Sequence, residues 1–334
     1  MLIVWFCLLF LALACFSLKI TPEENAQLKK ICGANYLGDV KRSKRSMDGN
    51  VFPRYQPHST KDHSVRGKLR LQGGRSLSQN EYPWIADLHY NRHLCFGSVI
   101  SDRHILTAAH CVISIADPDV YPPEECRKKG HINKRNKLEG NWTILVGSGC
   151  TDPEVCNSGW LKPDKIYFHE DFNECTVEHD LAIFEFKDNI PHSMASPICM
   201  PGRNHSIFHT LKVGGFGSAE AGASRKRYGT IDVDFIGTEG NFVVVEASPE
   251  QGICQGDSGG PLFQTDGEEK NVQIGVDSYG GSCRTSLKPN ELRIDFTTDV
   301  RKYLDWICEK TGVCPIDEDI KESTPSNIWE HLRN

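Results

Sequence analysis

Six consecutive residues, Gly256-Asp257-Ser258-Gly259-Gly260-Pro261, constrain this chain more than any other stretch. Three glycines let the backbone turn tightly and approach a bound group closely, which a side chain at those points would obstruct. They leave Ser258 as an exposed hydroxyl. Serine is a weak nucleophile at neutral pH, so it needs a neighbouring base to take its proton and a third group to orient that base. Both kinds of group occur upstream, a histidine in Leu106-Thr107-Ala108-Ala109-His110-Cys111 and a carboxylate in His179-Asp180-Leu181-Ala182-Ile183. A lone aspartate is usually a surface residue. Here an apolar strand follows at once, and it holds Asp180 at a buried edge where it can accept from the imidazole of His110.

These motifs, in the order His, Asp, Ser, resemble the chymotrypsin-like (trypsin-fold) serine proteases, and the resemblance runs from about Leu71 to Cys308. It implies an all-β fold of two six-stranded antiparallel β-barrels with a C-terminal helix, the helix being matched by Arg301 to Ile307. It also implies a serine endopeptidase acting on protein or peptide substrates, with no metal and no organic cofactor. Ser258 would attack the peptide carbonyl, His110 would move the proton and Asp180 would fix the imidazole tautomer. The amides of Gly256 and Ser258 would hold the oxyanion. A protease-shaped binding protein without turnover is the alternative, and such homologues usually lose a triad residue, whereas His110, Asp180, Ser258 and Gly256 are all present here.

Composition narrows the setting. The 334 residues are 39% hydrophobic and 25% charged with a net charge of −6, enough for a sizeable core and no argument for nucleic acid. Residues 1–17 are nearly all apolar and read as a secretory signal, short for a spanning helix, with a retained signal anchor as the competing reading. No stable membrane insertion is expected. Two of the 14 cysteines, Cys7 and Cys15, lie in that run and leave twelve, an even number suited to disulfides in an oxidising compartment. No Cys-x-x-Cys occurs, which argues against zinc. Asn141-Trp142-Thr143 and Asn204-His205-Ser206 are glycosylation acceptors in a secreted eukaryotic chain.

Residues 18–70 read as a propeptide whose basic, polar, turn-rich composition favours an extended, flexible piece. Within it Arg42-Ser43-Lys44-Arg45 resembles a convertase site, against the plainer reading of a solvated linker. Arg70-Leu71-Gln72-Gly73-Gly74 resembles the family's activation junction. Cleavage after Arg70 by an activating protease would free the ammonium of Leu71 to pair with Asp257, although Leu71 replaces the usual Ile or Val. Residues 71–314 form the expected peptidase domain, and 315–334 a polar tail. Residues 112–143 look longer than the family's corresponding loop, either decoration or an exosite for an acidic partner. A protein inhibitor is a further partner of the kind such proteases meet.

The resemblance pairs Cys95 with Cys111, Cys254 with Cys283, and Cys32 with Cys199, the last tethering a cut propeptide. Cys126, Cys150, Cys156, Cys175, Cys308 and Cys314 are left with fifteen pairings open. Ser278-Tyr279-Gly280 resembles the segment that pairs with substrate backbone as an added strand. The specificity pocket has Gly252 at the floor, where trypsin-like members carry aspartate, and the match to the final strand puts Asp295 on the wall. Gly280 at the entrance leaves room for large side chains. Broad cleavage that includes Lys and Arg is the expectation. A slipped register would put Asn290 on that wall instead.

Overall fold

The computed structural model describes residues 18–37, 74–91, 93–113, 126, 138, 140–148, 160–215, 228–248, 251–254, 256–280 and 292–315. The first helix among the described residues is α1 (Pro22–Ile31), and the first strand is the two-residue β1 (Arg75–Ser76). The first sheet comprises β2 (Ile85–Tyr90), β3 (His93–Ser101), β4 (His104–Thr107), β5 (Trp142–Val146), β6 (Trp160–Leu161), β7 (Lys165–Phe168) and β8 (Ala182–Glu185). One helical turn, α2 (Ala109–Val112), interrupts it after β4. The order is β6-β5-β2-β3-β4-β8-β7, antiparallel throughout, and no pairing among the described residues closes it.

The second sheet contains β9 (Thr210–Gly215), β10 (Gly229–Glu239), β11 (Phe242–Ala247), β12 (Pro261–Thr265), β13 (Asn271–Gly280) and β14 (Arg293–Asp299). Its order is β1-β10-β11-β14-β13-β12-β9, and pairing of β9 with β10 closes six strands into a barrel with β1 added at one side. Gly240, at φ 52°, takes the left-handed backbone that the two-residue turn between β10 and β11 needs. A short 3-10 turn (Val300–Lys302) then leads into helix α3 (Leu304–Thr311). This is the trypsin fold. Among the described residues, no helix is long and apolar enough to cross a membrane.

The core lies inside each sheet and between them. Trp84, Ile85, Leu88, Phe96, Ile105 and Phe184 fill the first, and Leu211, Val213, Val245, Leu262, Ile274 and Val276 the second, all fully enclosed. Tyr82, Trp84 and Phe263 meet at ring-centroid distances of 5.0 to 5.6 Å and join the two. In α3, Leu304, Trp306 and Ile307 turn inward. Trp306 also reaches the loop after β7, donating from Nε1 to Glu170 Oε2 at 2.9 Å.

The N-terminal segment departs from the extended, flexible piece that its composition suggests. Thr21 caps α1 with the reciprocal Thr21–Glu24 pair of a capping box, and Pro22 occupies the first turn, where its missing N–H costs nothing. Leu28 and Ile20 are buried against the body. The Ile20 amide donates to the Thr311 carbonyl at 2.8 Å, and Asn25 exchanges two hydrogen bonds with the Cys314 backbone. Cys32 is bonded to Cys199, and the Gly33 amide donates to the Pro197 carbonyl at 2.8 Å. The average polarity of residues 18–70 concealed a short stretch with its own cap, anchor and cysteine.

Two pairings that the sequence left open are resolved, Cys126 with Cys175 and Cys308 with Cys314. Cys95 is bonded to Cys111. Cys254 is in a disulfide, while Cys283, Cys150 and Cys156 lie outside the described residues. So do residues 1–17, Arg70, Leu71, Asn290 and the tail 316–334. Asn141 and Asn204 are both exposed.

Candidate active site

Three loops converge between the two sheets. The first is α2, which follows β4 directly and is pinned by the Cys95–Cys111 bond, so that His110 faces the cleft. The second is the approach to β8. His179 holds a left-handed backbone at φ 60°, and the Leu181 amide returns to the His179 carbonyl at 2.9 Å, which turns Asp180 inward. His179 is braced by stacking on His169, centroids 4.9 Å apart, and by Tyr303, whose hydroxyl lies 3.2 Å from its Nδ1. A histidine that sequence reading leaves as a neighbour therefore fixes the strained turn before the carboxylate.

Asp180 is fully buried and shared by both sheets. Its Oδ1 accepts the His110 backbone N–H at 2.8 Å, and its Oδ2 accepts from His110 Nδ1 at 2.7 Å. Ser278 donates its hydroxyl to Oδ2 at 2.6 Å, and Thr298 donates to the Asp180 carbonyl at 3.3 Å. The side chain of Ser278 is thus committed to Asp180, and only its backbone is left for substrate. Burial would lower the pKa of His110, but the charge of Asp180 and its hydrogen bond outweigh that, and the net displacement is upward.

The third loop carries Ser258 into β12. Gly259, at φ 80°, has no room for a side chain, since a Cβ would stand 2.2 Å from Thr107 Oγ1 and 2.4 Å from the Phe96 carbonyl oxygen. The Phe96 amide donates to the Ser258 carbonyl at 2.8 Å, and the Gly259 amide to the Asp277 carbonyl at 2.8 Å. These contacts dock the loop on β3 and β13. Gly256 also has a left-handed backbone, φ 96°. Among the described residues, the amide hydrogens of Gly256 and Ser258 are engaged by no hydrogen bond, and Ser258 Oγ makes none to His110. Asp257 is buried beside Gly215, its Oδ2 accepting the Cys254 amide at 2.8 Å.

The residues expected in the specificity pocket make two contacts, both with side chains of β14. Gly280 pairs with Asp295 across β13 and β14, and the carboxylate fills the place where a Gly280 side chain would go. At the floor, a Cβ on Gly252 would lie 2.7 Å from Cδ of Arg293, a buried cation that the sequence reading did not single out. Tyr279 stacks flat on Phe296 at 4.6 Å and meets Phe242 edge-on at 5.3 Å, forming a half-exposed aromatic wall. The sulfurs of Cys95 and Cys111 cluster within 4.8 Å of a His110 nitrogen, but they are joined as a disulfide and offer no thiolate to a metal.

The family model for trypsin matches residues 71–307. The chain belongs to the trypsin family. Among curated relatives in this family, it is 24% identical to mouse "Transmembrane protease serine 11E" over 82% of this chain and 62% of that protein. It is 29% identical to bovine "Suppressor of tumorigenicity 14 protein homolog" over 75% of this chain and 29% of that protein. The chain therefore spans less than two thirds of the length of either. Membership makes it a serine-protease homologue with protein substrates as the family's targets.

Proposed function

We propose that this protein is a secreted serine endopeptidase that hydrolyses peptide bonds through His110, Asp180 and Ser258 and is activated by cleavage after Arg70. The observation that carries the reading is the buried Asp180 carboxylate, 2.7 Å from His110 Nδ1, beside a glycine-shaped loop that presents Ser258. With Nδ1–H donating to Asp180, the other imidazole nitrogen is the one free to act as base.

In the first half-reaction Ser258 Oγ bonds to the substrate carbonyl carbon as its proton passes to His110. The oxyanion is received by the amides of Gly256 and Ser258. Collapse breaks the C–N bond, His110 protonates the leaving amine, and an acyl-enzyme remains. Water repeats the sequence and frees Ser258. Preorganised amides of this kind contribute about 10² to 10³ in rate per donor. Among the described residues the amides of Gly256 and Ser258 are left open to receive an oxyanion, which supports the reading.

Residues 18–70 are the pro-segment in this reading, tethered by Cys32–Cys199 after the cut, and 71–314 the peptidase. The four disulfides among the described residues support an oxidising, extracellular setting. The P1 preference is broad and includes Lys and Arg, attracted by Asp295 from the side. The test is labelling with a fluorophosphonate before and after cleavage at Arg70, with Ser258→Ala as control. Labelling of Ser258 only in the cut chain is expected. A folded, correctly cut chain that stays unlabelled refutes the proposal in favour of a binding protein.

A further inference from the structure

The strand alternation that aims Ser278 and Thr298 at Asp180 aims their neighbours the other way. Asp277 pairs directly with Thr297 across β13 and β14, and Asp295 lies two residues along β14 from Thr297, so the three share one face. That face is the one where Asp295 meets Gly280 and Arg293 meets Gly252. Asp277 is 4% exposed, and among the described residues its Oδ1 has no hydrogen-bond partner. A buried carboxylate oxygen is costly to leave unmatched, and functional sites are where such a cost is tolerated.

We propose that Asp277 and Asp295 together form a cation-recognition pair in the specificity pocket, sharing a proton when the pocket is empty and releasing it when a basic side chain enters. The pair rests on the protease reading for the location of the pocket, and it adds a specificity-determining residue, Asp277, to it. The charged groups around Asp277 are Asp295 on β14, Asp257 in the loop before Ser258, Asp180 before β8, and Arg293 on β14 by the floor. Burial first, then the charges of Asp295, Asp257 and Asp180, push its carboxyl well above the ordinary carboxylate range. Two close carboxyls in such a site titrate as a unit and do not both ionise readily. An incoming ammonium or amidinium reverses the balance. It favours the doubly ionised pair, the proton leaves to solvent, and Oδ1 of Asp277 acquires the partner that it lacks.

Arg293 supplies the counter-charge on this face. Its side chain stands where a Cβ on Gly252 would go, so one ionised carboxyl balances it in the empty pocket and a basic P1 group requires the second carboxyl to ionise. The arrangement predicts capture from the wall, with affinity that rises with pH as the shared proton becomes easier to lose.

Benzamidine, a small amidinium, tests this in calorimetry on the full chain cut after Arg70 and carrying Ser258→Ala, repeated in buffers of different ionisation enthalpy. Release of close to one proton per benzamidine is expected in the window where the empty pair is still protonated. Asp277→Asn, which keeps the shape, should abolish the release and weaken binding on the order of tenfold, the worth of one charge-assisted hydrogen bond. The exposed Asp188→Asn should change neither. Absence of benzamidine binding, binding without proton release in the parent protein, or undiminished affinity in a folded Asp277→Asn variant would each overturn the proposal. The proton count in the parent protein needs no pocket variant, so a variant that fails to fold leaves the test standing. Fluorophosphonate labelling of the Ser258 protein is read separately. A chain that releases the proton but never labels keeps the cation site and loses the protease, and one that labels without release does the reverse.

Discussion

Replacing Cys32 and Cys199 together by alanine should affect the uncut and the cut protein in different ways. In the uncut chain the bond spans 167 residues, and the loop-entropy relation assigns a crosslink of that length about 5 kcal/mol of stabilisation, through the unfolded state. For a folded unit of this size such a loss corresponds to a fall of about 10–20 °C in Tm. After cleavage at Arg70 the bond becomes the covalent link between residues 18–70 and the body. Burial of Ile20 and Leu28 supplies about 3–6 kcal/mol to hold the segment. Free association costs about 4–15 kcal/mol, and ordering of the segment adds to that. The hydrogen bonds of Asn25 and Gly33 offset a part of it. The segment should therefore leave once the bond is gone. Thermal melts of the uncut double variant, and gel filtration of the cut variant followed by mass spectrometry, read both effects. Retention of the segment through gel filtration, or an unchanged Tm in the uncut variant, would refute the account.

Ser278→Ala removes one of the donors to Asp180 Oδ2 and should lower kcat about tenfold or more with little change in KM, measured on a peptide ester. The acid limb of kcat/KM should lie above the ordinary imidazole value of 6.5, because Asp180 raises His110, and Asp180→Asn should shift it down and cut kcat by about 10⁴. The same shift has a stability consequence. A raised histidine stabilises the fold fully below its unfolded pKa, and this is lost as pH rises through the folded value, which Tm against pH in His110→Gln would check. Gly259→Ala should cost more than about 3 kcal/mol in denaturant melts, since the new Cβ meets the Phe96 carbonyl and Thr107 at a left-handed backbone.

What the sequence made legible was chemistry that depends on local pattern. Glycines flanking a serine must form a tight turn, and an aspartate opening an apolar strand must face a protein interior. The pairing of Cys126 with Cys175 lay beyond such reasoning, because it joins segments whose proximity is decided by how β7 and β8 return to the sheet. Helix α1 was hidden differently. Its capping box, Thr21-Pro22-Glu23-Glu24, was a readable start signal, but the composition of the surrounding fifty residues drowned it. Two buried side chains, Leu28 and Ile20, act together with one disulfide and the hydrogen bonds of Ile20, Asn25 and Gly33 to dock the segment.

The pocket illustrates why a motif can name a reaction and leave its selectivity open. Ser278 and Asp277 are adjacent in sequence and point to opposite sides of one strand, Ser278 to the carboxylate that holds His110 and Asp277 to the face that carries Asp295. Asp277, in the midst of Val276-Asp277-Ser278, carries no pattern that separates it from a strand residue with solvent on one side. Its role appears only when register brings it opposite Thr297 and within the field of Asp295. The missing floor aspartate at Gly252 therefore does not by itself remove preference for a basic residue. The negative charge lies along β13 and β14, and Arg293 takes up the floor. On the proposed pairing, selectivity would be set by whether Asp277 is ionised, and it would vary with pH in a way that a single fully ionised floor carboxylate would not.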